Sequence, residues 1–170
     1  MGTTARFDKV TRLRQKASDR SWFPERALHV VDIQNLAGAP IPSLVQVNEV
    51  QGWYTARLGL GADDQVVMAS SHLGFLNVAL GWPHARYRVR SGPDGADLAL
   101  LDVLEHEDVA ARFSHVVIGS GDWRFSRAAA SLAGRGVRVT VVSRRGSLAA
   151  VLARAAQDVV YLDLPRAVAA

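Results

Sequence analysis

Three aspartates, Asp32, Asp97 and Asp122, each fall just beyond a β-rich segment of the chain, and acids placed in that way can act together. Carboxylates brought to one place repel each other unless a cation neutralises them. A hard divalent ion, Mg²⁺ or Mn²⁺, does so through oxygen ligands while keeping several waters. Such an ion activates a water and stabilises charge on a phosphoryl group, so the chemistry expected of the three acids is metal-assisted hydrolysis. Asn35, three residues past Asp32, is placed to orient that carboxylate or to contact substrate. For each acid alone the competing reading is a helix N-cap or helix-dipole partner. Three of them after three core strands favour a shared site.

Around the acids lie residues suited to an anionic substrate. Trp123 follows Asp122 directly, where its indole either stacks on a base of single-stranded RNA or packs under a helix. Arg124 and Arg127 are close by in sequence, and Arg124 is placed to grip a scissile phosphate. Arg144-Arg145-Gly146-Ser147 is expected to open a helix at the same rim, combining guanidinium charge with free backbone N–H groups; a solvated turn is the alternative. His72 reads as a surface residue, and His29, His84, His106 and His115 lack metal-ligand spacing. Gly119-Ser120-Gly121 lacks the full G-x-S-x-G pattern, and no glycine-rich phosphate loop with a following Lys is present.

The elements that would position these residues follow from periodicity. From Ala27 onward β-rich runs (ALHVVDI, QVVMASS, ARYRVR, SHVVIGS, VRVTVVS, DVVYLDL) alternate with helical ones (SLVQVNEVQGWYTARL, LGFLNVAL, ADLALLDVLEHED, SRAAASLAGR, SLAAVLARAA). Six strands separated by five helices predict a three-layer α/β/α fold with a central, mostly parallel sheet of about five to six strands. Pro40, Pro42, Gly61, Pro83, Gly92-Pro93, Gly136 and Gly146 fall between the elements, where turns require them. In open sheets of this kind ligands bind beyond the carboxyl ends of the strands, and the acids and arginines named above all fall there. Residues 1–25 form a separate basic helix or arm, with Phe7, Val10 and Leu13 at helical spacing, ahead of a domain spanning 26–170.

Composition narrows the chemistry further. With no cysteine among 170 residues, thiolate metal sites, Fe–S clusters, disulfides and cysteine nucleophiles are excluded, so a metal must be held by oxygen or imidazole. The net charge is +4 and nearly all of the positive charge is Arg, which suits phosphate and can stack on bases; a GC-rich genome gives the same bias. No apolar run is long enough to span a bilayer and no secretory signal opens the chain, so a cytoplasmic protein without a membrane partner is expected.

Three pieces, VVDIQNL, PDGADLALLDVL and VVIGSGDWRFSRAAASLAGRGVRVTVVS, resemble the NYN domains, a branch of the PIN-like metal-dependent ribonucleases, over about residues 27–145. The resemblance implies an endoribonuclease that hydrolyses RNA phosphodiester bonds, in single-stranded or loop regions, with Mg²⁺ or Mn²⁺. It implies Asp32, Asp97, Asp122 and Asn35 as catalytic residues, with the three aspartates as metal ligands. Ser120, Trp123, Arg124, Arg127, Arg144 and Arg145 are then the substrate-binding candidates. Two positions depart from the family. Arg124 stands where a further acid is frequent, and Asp94 where a Lys is frequent. The alternative implied by these departures is a weakened module that keeps the fold and binds RNA or protein without cutting. Asp102 matches the family pattern too, but five residues of helix turn it about 140° away from Asp97, which makes it a second-tier candidate.

Overall fold

A computed structural model describes residues 26–162. The basic arm expected over residues 1–25 lies outside the described residues. The six strands are β1 (Ala27–Asp32), β2 (Gln65–Ser70), β3 (Arg86–Val89), β4 (His115–Gly119), β5 (Arg138–Arg144) and β6 (Asp158–Leu162). They form one sheet in the order β3-β2-β1-β4-β5-β6, and every pairing is parallel. The architecture is therefore the α/β fold expected from the alternating pattern, with all of its strands parallel. From β1 in the middle of the sheet the chain builds outward to β3, then returns across it to β4. The strand order thus reverses between β1 and β4, which opens a crevice at their carboxyl ends.

Each face of the sheet is covered by helices. On one side lie α1 (Ile33–Ala37), α2 (Leu44–Leu58) and α3 (Phe75–Gly81), and on the other α4 (Gly95–His106), α5 (Val109–Arg112), α6 (Ser126–Gly134) and α7 (Ala150–Ala155). Strand residues alternate between two cores. Leu28, Val30, Val116, Ile118, Val139 and Val141 pack with Leu100, Val103, Leu132 and Leu152. Val31, Met68, Val117 and Val142 pack with Leu36, Val47, Tyr54 and Trp82 on the opposite face. Coverage on both faces is why β1 is buried along its whole length and reads as a continuous apolar run. Local signals set the helix ends. Ser43 and Gln46 form a reciprocal capping box at the start of α2, and Gly59 takes the left-handed conformation that ends it.

Three local features differ from the sequence pattern. The five-residue α1 follows β1 without a break, and α5 is an additional single turn. The last helix begins at Ala150 rather than Ser147, because residues 145–149 form a turn in which the Ser147 amide donates to the Arg144 carbonyl and the Ala149 amide to the Gly121 carbonyl. Among the described residues no helix is long and apolar enough to cross a membrane.

Candidate active site

The carboxyl rim is organised by Asp32, the last residue of β1, which is nearly inaccessible at 3% exposure. Its Oδ1 accepts the Asn35 amide at 3.0 Å, which caps α1, and its Oδ2 accepts the Ser120 hydroxyl at 3.1 Å. Ser120 Oγ also accepts the Asp122 amide at 3.2 Å. The Asn35 side-chain carbonyl accepts the Gly121 amide at 3.0 Å. The ends of β1 and β4 are thereby stitched together, and the Ser-Gly-Asp segment is held in one conformation. Gly121 is required at the centre of it. A Cβ there would collide with the Ser147 carbonyl oxygen and lie 2.5 Å from Ser143 Oγ.

Asp122 caps the short 3-10 turn Trp123–Phe125 through its Oδ1, which accepts the Arg124 amide at 2.9 Å. Asp97 arrives from the other side, on the first turn of α4, and makes no capping bond. The cap reading thus describes Asp32 and Asp122, while Asp97, an acid in the first turn of α4, fits the helix-dipole reading instead. All three acids nevertheless line one cavity of about 390 Å³, together with Asn35, Arg90 and Arg144. A groove of about 650 Å³ beside it and a crevice of about 850 Å³ at the opposite end of the sheet are larger, so size does not mark the site; the gathering of like charges does.

Those charges perturb one another. Burial, then the neighbouring carboxylates of Asp32 and Asp122, push Asp97 up to about 7 against the opposing pull of Arg124. Burial is also the main influence on Asp32, which is raised although the Asn35 amide and the Ser120 hydroxyl favour its ionised form. Asp32 and Asp97 therefore behave as a close acid pair that holds a proton more readily than isolated aspartates would.

Arg124 is the resident counter-charge. Its Nη1 lies 2.8 Å from Asp122 Oδ2 and 3.8 Å from Asp97 Oδ2, and its Nη2 lies 2.9 Å from Asp94 Oδ2. The two positions that depart from the family pattern thus meet each other, with the expected charges exchanged across one ion pair. Both Asp122 oxygens are engaged by Arg124, and among the described residues no group of three or more His, Asp or Glu side chains is arranged to enclose a metal ion.

The remaining expected site residues divide. Arg144 does line the cavity, where its Nε donates to the Asn35 carbonyl at 2.9 Å and its guanidinium lies over Gly38 at the end of α1. Arg145 turns to the Tyr161 ring, 5.0 Å from its centroid. The pair does not open a helix, since Arg144 ends β5, so the expected cluster of free backbone N–H groups is not formed there. Trp123 is 61% exposed, which removes the alternative of packing under a helix. Ser120 is fully buried and positions the acids rather than facing substrate. Arg127 is a second correction: it lies on the α6 face that meets Leu104 and Glu105, away from the acid cavity. Asp102 is exposed and pairs with His106 one turn later at 3.3 Å, and His72 is exposed with its Nδ1 2.7 Å from Ser91 Oγ. Arg90 was not among the expected residues; its signal was its place at the end of a strand with Arg at every second position.

Fold and rim define an α/β domain with acids gathered where a parallel sheet reverses its strand order. The model of the NYN domain family matches residues 61–163, more than half of the chain, and the chain belongs to that family, whose fold is nuclease-like. The match takes in Asp97, Asp122 and Arg124, while Asp32 and Asn35 precede it. A crystal structure of a protein of unknown function from Vibrio parahaemolyticus is similar over 85% of this chain and 96% of that chain, with a TM-score of 0.58 and 19% identity, a likeness of fold. No curated protein matches.

Proposed function

We propose that the carboxyl rim is the active site of a metal-dependent endoribonuclease. The observation that carries this reading is the delivery of Asp32, Asp97 and Asp122 from three elements into one cavity with arginine on its border. The donor set is all hard oxygen. Mg²⁺ is commonly held by one or two carboxylates plus waters and substrate phosphate oxygens, and the close Asp32–Asp97 pair, raised chiefly by burial, fits that requirement without a complete protein cage. Asp122 would join them once Arg124 swings away. When bound, the ion supplies an activated water and neutralises charge on the phosphoryl group.

The chain's own residues do the rest. With Asp97 raised to about 7, the Asp32–Asp97 pair would have to give up a proton to hold a cation, which would make metal uptake pH-dependent. Ser120 and Asn35 fix the orientation of Asp32 and of the Ser-Gly-Asp turn. Arg124 holds its guanidinium against Asp122, Asp97 and Asp94 at the mouth of the acids, and the exposed Trp123 offers a face to a base.

The test is incubation of the purified chain with mixed single-stranded and structured RNAs, with and without Mn²⁺, beside Asp122→Asn and Asp97→Asn. Metal-dependent cutting that falls about 100-fold or more in either variant is expected. RNA left equally intact by all three proteins sinks the enzyme reading. A second reading, an RNA-binding module without cleavage, is favoured by the Arg124 clamp on Asp122 and would then stand if RNA is bound and Mn²⁺ is not.

A further inference from the structure

Edge strand β3 carries Arg86 and Arg88, and Arg90 follows directly with its amide bonded to the Ser70 carbonyl at 3.1 Å. Arg86 and Arg88 stand opposite Val67 and Ala69, which face the α4 side of the sheet. All three side chains therefore point to that side, with successive guanidinium stems about 7 Å apart. Together with α4 the strand borders the groove of about 650 Å³, lined by Arg88, Arg90, Asp102, His106 and Glu107. Arg90 lines this groove and the acid cavity alike, so the two are continuous through it.

Arg88 and Arg90 in the lining balance Asp102 and Glu107, and the excess of positive charge comes from Arg86 and Arg112 beside it. Glu107 is shared by Arg86 at 2.7 Å, Arg88 at 2.6 Å and Arg112 at 3.7 Å, so one carboxylate serves three guanidiniums and holds them in place without cancelling them. Asp102 is paired with His106 at the outer wall. Arg90 makes no ion pair or side-chain hydrogen bond among the described residues, and it is exposed. An unpaired arginine at the junction with an acid cavity, followed by a regularly spaced row of arginines, suits a flexible polyanion laid along the strand. A compact anion would use only one of these positions.

We propose that the β3–α4 groove binds the phosphate backbone of single-stranded RNA and leads it into the acid cavity, with Arg90 and Arg88 on successive phosphates. This rests on the ribonuclease reading for the class of polyanion, and it assigns the path of the strand, which that reading leaves open.

The test uses the full chain in EDTA, with binding of a short fluorescein-labelled single-stranded RNA followed by anisotropy over a salt series. Arg90→Ala with Arg88→Ala is expected to weaken binding about 10-fold near 0.1 M salt and to reduce the log–log salt slope by about 1.4, the value for two phosphates on a single strand. Arg90→Ala alone removes no ion pair from the fold, so its share of the loss cannot arise from misfolding, and a thermal melt checks the double variant. Affinity and slope within twofold of wild type, or a wild type that binds no RNA, overturn the proposal. Binding of poly-glutamate in place of RNA, lost in the same variants, overturns it in favour of an acidic protein partner. Cleavage in Mn²⁺ is scored separately. RNA cut normally by variants with unchanged binding defeats the groove and leaves the nuclease reading standing, whereas weakened binding in a chain that never cuts RNA does the reverse.

Discussion

The two ends of the sheet both bury ionisable side chains, and they treat them in opposite ways. At the amino end His29, 3% exposed, meets Tyr54 with its Nδ1 2.9 Å from the phenol oxygen, and its Nε2 lies 3.5 Å from Asp64. Asp64 accepts the amides of Ala27 and Gly61, each at 2.7 Å. Burial acts to raise Asp64, but those amides and His29 outweigh it, so its carboxyl stays below the ordinary value. Burial lowers His29 to about 4 against the pull of Asp64, so it is neutral at pH 7. Asp64 is thus in the state its neighbours favour, whereas burial keeps His29 neutral against Asp64 and leaves its Nε2 without a hydrogen bond among the described residues. At the carboxyl end burial acts together with like charges that face one another, and Asp97 is driven to about 7. Buried polarity alone therefore does not mark a site; unresolved repulsion between groups of the same sign does.

The largest expected effect is at the stitched turn. Gly121→Val forces a side chain into Ser147 and Ser143, and a loss of about 3 kcal/mol, seen as a lowered melting temperature, is expected. The same variant should lose any stabilisation by Mn²⁺; a melt like that of wild type would show that the turn gives way freely. At the amino end Tyr54→Phe removes the phenol that pairs with His29 and should cost about 1–3 kcal/mol while leaving the response to Mn²⁺ intact. A lost metal response in that variant would mean that the two ends are coupled.

Asp97→Asn should do the opposite of damage. Because the folded-state pKa is raised from the ordinary 3.8 to about 7, ionised Asp97 is penalised in the fold. That penalty is absent below pH 3.8 and complete once the pH has risen through 7. In EDTA at pH 8 the variant should be more stable than wild type by at least about 2 kcal/mol, with the difference gone near pH 4, as urea titrations at the two pH values would show. Equal stability at pH 8 would mean that Arg124 already neutralises the cluster. The last effect is the smallest. Arg124→Asp exchanges the resident cation for a further acid, and Mn²⁺ affinity is expected to rise about 10-fold, or about 1.4 kcal/mol, with faster cleavage. Tighter metal binding with slower cleavage would instead identify Arg124 as a phosphate contact.

Much of this was legible in the residues. Strands buried on both faces read as apolar runs, and Pro or Gly between them placed the turns, so the order of elements followed from the pattern. The approach of Asp32 and Asp122 was legible too, since Asp32 ends β1 and Asp122 lies just past β4, which pairs with it. Other features depend on contacts remote in sequence. Asp94 and Arg124 are 30 residues apart, and only the opposite signs of their departures hinted that they would pair. Arg127 was drawn to the site by its nearness to Asp122, but the helix turns it to another face. Ser147 was read as helical from composition, and the Ala149–Gly121 hydrogen bond keeps that segment in a turn.

The stitching of the rim also bears on when it can exist during synthesis. Ser120 reaches Asp32 across 88 positions, Gly121 reaches Asn35 across 86, and Arg144 reaches Asn35 across 109. Contacts so distant along the chain close late in folding, after local helices and neighbouring strands have formed. A nascent chain that has emerged only through β3 carries Asp32 without Ser120 or Asp122, and the clamp of Arg144 on α1 waits for the end of β5. The acid rim is therefore a product of the nearly complete fold, and a chain interrupted before Arg144 lacks a finished one.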